Sequence, residues 1–166
     1  MRSSLFRASG VGLFIILLLA VFAGCSTIDC PVQNLVYTKY YLKKGDLTPD
    51  TLNGDTLTIF TVRRDGTDSI VLNQGTEIAS YNLPISYTSP EDVFYYVMEI
   101  DSVIYVDTVW IKKDNFPHFE SVDCNAAYFH KITDIRYTTH LIDSIVINNP
   151  NVNYDVNTEH FHIYFK

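Results

Sequence analysis

Beyond residue 30 the chain is cut into short runs rich in Val, Ile, Thr, Tyr and Phe, and helical spacing of apolar residues is almost absent. That feature excludes most architectures. Side chains of this kind suit a pleated, half-buried surface, and the Gly, Asn, Asp and Pro between the runs supply turn chemistry. The last run, His160 to Phe165, shows the pattern most clearly. Phe161, Ile163 and Phe165 alternate with His160, His162 and Tyr164, the mark of a strand with one buried face.

The other runs predict strands at Leu35–Leu42, Thr56–Val62, Ser69–Leu72, Ile78–Ile85, Val93–Ile100, Val103–Ile111, Ala127–Tyr137 and Ile142–Ile147. Asp101-Ser102 joins two of them as a hairpin. Pro84 restricts its run to a strand end, an edge or a bulge, and Asn115-Phe116-Pro117 is expected to bar continuation of the hairpin's second strand. Eight or nine short strands with turns between them predict an all-β, antiparallel β-sandwich of immunoglobulin-like type. Trp110 is expected in or near its core.

The amino terminus carries a different message. Arg2 and Arg7 precede an apolar stretch from Val11 to Phe22, the layout of a secretory signal peptide. The stretch is shorter than the roughly 20 apolar residues of a spanning helix. It ends in Phe22-Ala23-Gly24-Cys25, which resembles a bacterial lipobox with phenylalanine at the position more often leucine. On that reading residues 1–24 are removed and Cys25 is acylated, so the membrane is a partner through lipid at Cys25. Ordinary cleavage with a free thiol at Cys25 is the alternative.

Cys30 and Cys124 then remain. Outside the cytoplasm the simplest use of two cysteines in a small domain is a disulfide. Closing so long a loop allows about 4 to 5 kcal/mol by chain entropy. Two free buried thiols are the alternative.

Removing residues 1–24 from 166 leaves 142, suited to one β-sandwich domain over 25–166. With Arg2 and Arg7 gone, 10 basic residues face 19 acidic ones, a balance of −9. Such a chain has no basic patch for nucleic acid, and its Lys and Arg doublets are isolated.

Candidate chemistry is sparse. His160 and His162 share a strand face, as some zinc ligands do, with His130, His140, Asp155 or Glu159 as further donors; a polar strand edge is the plainer explanation. Asn151, Asn153 and Asp155 alternate oxygen donors, yet Val156 and His162 stand where a calcium loop needs Gly and Glu. Asx turns explain them better. There is no Gly-x-Ser-x-Gly elbow and no phosphate-cradling glycine loop, so no catalytic residue and no cofactor is expected.

Several segments together resemble a family of uncharacterised Bacteroidetes lipoproteins. They are Cys30-Pro31, Asp107-Thr108, Phe119 to Cys124, Asp143 to Pro150 and His162 to Phe165. The resemblance implies a cell-envelope setting, with the outer membrane expected and the leaflet undetermined. Ser26-Thr27-Ile28-Asp29 offers only one acid where a surface-export tag would carry several. The functional expectation is a non-catalytic binding or interaction module for an envelope protein or a glycan. Its rivals are a metal-assisted hydrolase using His160 and His162, and a structural subunit that pairs through an edge strand.

Overall fold

Alternation along each strand builds two sheets whose apolar faces meet. The computed structural model describes residues 35–52, 54–121 and 124–166; the expectations for residues 1–34, Cys25 and Cys30 among them, lie outside these. Ten strands run in order: β1 (Tyr37–Leu42), β2 (Thr56–Val62), β3 (Asp68–Gly75), β4 (Ser80–Pro84), β5 (Glu91–Ile100), β6 (Val103–His118), β7 (Ala127–Tyr137), β8 (Ile142–Ile147), β9 (Asn151–Val152) and β10 (Phe161–Phe165). One sheet has the order β4-β1-β10-β8 and the other β3-β2-β5-β6-β7-β9. All pairings are antiparallel except β1 with β10. The chain is a β-sandwich.

Residues two apart on a strand share a face, so β1 sends Thr38, Tyr40 and Leu42 inward, all buried. Tyr40 lies opposite Tyr81 of β4 and Phe161 of β10. The three rings stack across the sheet at centroid distances of 4.9 and 4.7 Å. From the facing sheet Tyr96 meets Tyr81 edge-on at 6.4 Å, their hydroxyls 3.3 Å apart. Such pairs add roughly 0.5–1.5 kcal/mol beyond burial. Leu57, Ile59, Met98, Val109 and Ile111 fill the rest of that face.

The long strand β6 departs from expectation. β5 pairs with it from Val103 to Lys112, and β7 from Val109 to His118. Only its middle has neighbours on both sides, and each end overhangs. Pro117 does not stop it, for a physical reason. Lys113 N–H still faces β5, donating to Pro90 O at 2.9 Å, and alternation puts position 117 on the same side. There β5 has ended, so the N–H that proline lacks has no ladder partner to lose. Trp110 is also displaced from its expected place. It stands on the face opposite Val109 and Ile111, half-buried, with the Arg136 guanidinium 5.2 Å from its ring centroid.

The first overhang is tied down by one carboxylate. Asp107 is fully buried and accepts hydrogen bonds from Thr138 Oγ1 (2.5 Å), His140 N (2.8 Å), His140 Nδ1 (3.0 Å), Leu141 N (2.7 Å) and Ile142 N (2.8 Å). Burial alone would raise its pKa. The hydrogen bonds from Thr138 and the three backbone amides outweigh burial and hold it at about 2. Asp107 thereby pins the β7–β8 turn to β6, a structural role for one residue of the family-like segment Asp107-Thr108.

Candidate functional site

The second overhang, Lys113–His118 with its β7 partners Ala127–Ile132, carries the richest chemistry among the described residues. Lys113 falls in phase with Val109 and Ile111, separated from them by a register shift after Lys112, and its side chain is fully buried. Its Nζ donates to Asp92 Oδ2 at 2.7 Å and to Ser89 O at 3.0 Å. Asp92 Oδ2 also accepts from Ser86 N–H at 3.0 Å. Burial lifts the Asp92 carboxyl above its ordinary range, with the Lys113 ammonium and the Ser86 amide pulling the other way.

Asn115 extends the network. Its Nδ2 donates to Tyr87 O and Ser89 O, each at 3.1 Å. Its Oδ1 therefore faces His130 Nδ1, which donates to it at 2.7 Å. Burial first, and then the Lys113 charge, hold the His130 pKa at about 4, so this imidazole is neutral near pH 7. Together these groups fix the 86–90 loop on the sandwich.

That loop places Tyr87 flat against Tyr128 of β7, centroids 4.8 Å apart and planes 14° apart. Tyr87 remains half exposed. On the opposite face of the overhang His118 stacks on Phe129 at 4.2 Å, and Tyr154 meets Phe129 edge-on at 5.0 Å. Phe116, opposite Phe129 on the neighbouring strand, is 50% exposed, and Phe119 is 64% exposed. Beside Tyr87 opens a groove of about 660 Å³ whose walls include Arg63, Arg64, Glu91 and Tyr95. Aromatic faces with two guanidinium groups at hand can stack on a sugar ring or receive a partner's side chains. Among the described residues of the overhang Lys113 is engaged with Asp92 and His130 with Asn115, and no Ser, Thr or Cys side chain is hydrogen-bonded to a His that could act as its base.

The histidines of the metal hypothesis do not converge. His160 is buried rather than on a solvent-facing edge. Its Nδ1 accepts from Lys39 N–H at 3.0 Å, and its own N–H donates to Lys39 O at 3.0 Å, so it continues the β1–β10 pairing. His162 Nε2 pairs with Glu159 at 2.9 Å, His130 with Asn115, and His140 with Asp107. Among the described residues no group of three His, Cys, Asp or Glu side chains is arranged to hold a metal ion. Asn149, Asn153 and Asp155 each accept the amide of the residue two positions on, so the Asn-rich segment is a succession of Asx turns. Cys124 is half-buried and has a bonded or electrostatic partner.

Sequence reasoning missed the Asp92–Lys113–Asn115–His130 network, because it ends the hairpin's second strand at Ile111. The signal was available in the alternation Val109, Ile111, Lys113, which puts a lysine at an inward position. The Tyr87–Tyr128 stack had no local signal, because a loop and a strand 41 residues apart create it.

Residues 56–165 match the profile of a family of unknown function, DUF6452. The chain belongs to that family. The matched span holds β2 to β10 and with them the whole overhang and the Asp107 knot. No curated protein and no solved structure matches the chain.

Proposed function

We propose that this member of the family is a cell-envelope lipoprotein, cut before Cys25 and held in the outer membrane through the acylated Cys25 sulfur. Its β-sandwich is a non-catalytic binding module that holds an envelope protein or a glycan. The anchoring half rests on Arg2, Arg7, the apolar stretch and Ala23-Gly24-Cys25. A Cys30–Cys124 disulfide belongs to the same reading, and it is consistent with Cys124 not being free.

The observation that carries the binding half is the aromatic overhang of β6 and β7. Tyr87, Phe116 and Phe119 are at least half exposed, while the buried Lys113–Asp92 pair and Asn115 hold the loop and strand beneath them. Exposed aromatics on a rigid support are the side chains that dominate recognition energies.

Cys25→Ala tests the anchor: the chain is expected to leave the membrane fraction or to stay uncleaved, and unchanged partitioning of a cleaved chain would contradict it. Tyr87→Ala with Phe119→Ala tests the module. A complex chemically cross-linked in intact envelopes is expected to be lost while the melting temperature stays within a few degrees. Retention of the same complex would contradict the assignment.

A further inference from the structure

The first overhang of β6 is a bare sheet edge. The β5–β6 hairpin turns on Asp101 and Ser102, whose φ angles of 47° and 65° define a two-residue turn of the I′ kind. Ile100 and Val103 are thus the first hydrogen-bonded pair. By alternation Val103 and Tyr105 point their backbone groups at β5, while Ile104, Val106 and Thr108 point theirs away. Thr108 confirms the phase: on that outer side its O accepts from Thr138 N–H at 3.0 Å and its N–H donates to Thr138 Oγ1 at 2.9 Å. β7 joins β6 only from Val109, so the N–H and C=O of Ile104 and Val106 lie along an open edge. The side chains beside them are exposed, Ile104 by 66% and Val103 by 51%.

Edges of this kind invite pairing with another strand, and proteins normally protect them with charge, proline, a bulge or shortness. The other described edges are protected. β3 is bulged against β2, β4 ends in Pro84, β8 carries exposed Asp143, and β9 has two residues. The open part of β7 carries Asp134 and Arg136. Val103-Ile104-Tyr105-Val106 has no such device.

We infer that this edge pairs antiparallel with the same edge of a second copy, about a twofold axis through Tyr105. Ile104 of one copy then lies opposite Val106 of the other, and the twofold satisfies the open backbone groups on both. Tyr105 faces Tyr105 in the non-hydrogen-bonded position between them. The length fits the chain's own segment. At one end Thr138 occupies the edge at Thr108, and at the other the Asp101-Ser102 turn leads the strand away. A longer foreign strand would run into Thr138, whereas β6 of a second copy stops at its own turn. The contact is also uncharged, which suits two acidic chains, net −7 over the full sequence and −9 once residues 1–24 are removed. β5 and β6 of the two copies form one continuous sheet.

The register makes the test specific. Directly opposed, non-hydrogen-bonded residues have Cα atoms about 4.5 Å apart, inside the range a disulfide spans. Diagonal neighbours, such as Ile104 with its own counterpart, are roughly 7–8 Å apart, beyond that range. The full-length chain in detergent, treated with a mild oxidant, should form a covalent dimer as Tyr105→Cys but not as Ile104→Cys, with the unaltered chain as the baseline for its own cysteines. Adding Ile104→Lys to Tyr105→Cys should abolish the dimer. By sedimentation the otherwise unaltered chain should have twice the protein mass of its Ile104→Lys variant. A covalent dimer equally abundant from both cysteines, one indifferent to Ile104→Lys, or no dimer at all would overturn the inference.

Discussion

The two overhangs of β6 are built from one strand and solve opposite problems. At Val103–Val106 the strand has lost β7 and leaves apolar side chains and open backbone groups in solvent. At Lys113–His118 it has lost β5, but the loop 86–90 fills part of the gap, Pro117 removes a donor from the open side, and Tyr87 of that loop stacks on Tyr128. Each overhang is stiffened by a buried carboxylate, and the two carboxylates are held differently. Asp107 receives five hydrogen bonds and its pKa falls to about 2. Asp92 receives one ammonium and one amide, and burial wins, so its pKa rises. A surface therefore does not need its charge exposed to be shaped by charge; the number of donors under it decides how firmly it is held.

The comparison can be broken most forcefully at Asp107. Asp107→Ala leaves the Leu141 and Ile142 amides buried without an acceptor, and should cost about 3 to 5 kcal/mol, read by chemical denaturation. A cost under about 1 kcal/mol would show that the knot is not what holds the β7–β8 turn. Lys113→Met should cost about 3 kcal/mol at pH 7, because it leaves the Asp92 charge buried and unpaired. That cost should shrink as pH falls. An unpaired buried carboxyl has a folded pKa above its unfolded value, so the folded variant gains a proton first and is stabilised by acid.

Acid should also separate the overhangs. His130 is held neutral with a pKa of about 4 against an ordinary 6.5. The unfolded chain binds its proton first, so stability falls as pH drops from about 6.5 through about 4, by about 3 kcal/mol from His130 alone, a loss that the raised Asp92 carboxyl opposes. Asp107, depressed from 3.8 to about 2, contributes a further loss of about 2 kcal/mol between pH ~4 and ~2. Residue-resolved hydrogen exchange should show protection around Asn115 weakening before protection at Leu141 and Ile142. The reverse order would invert the comparison. The smallest effect belongs to Phe119→Ser, which should change stability by less than about 0.5 kcal/mol, since its ring is mostly in water.

Much of this was legible in the sequence, and the failures have particular causes. The bounds of β2, β7 and β8 follow from β-branched runs closed by turn residues, which are local signals. β6 runs past its expected end because a proline's missing donor matters only when a neighbouring strand is there to receive it, and no local rule reports that β5 has stopped. His160 was placed on the solvent side by strict alternation. In the fold its imidazole replaces a strand contact to Lys39, 121 residues away, so burial comes from a partner the spacing does not name. β9 is two residues inside an Asn-rich turn and carries no strand pattern. The aromatic surface was anticipated only as composition, because tertiary packing alone brings Tyr87 to Tyr128.

The most direct test of the account compares the overhangs in living cells. A photo-cross-linking residue replaces Tyr105 in one full-length chain and Tyr128 in another. Position 105 is expected to yield an adduct of two copies of this chain, and position 128 an adduct with a different envelope molecule. Adducts of the same composition from both positions, or none from either, would contradict the account of one strand that offers two distinct partner surfaces.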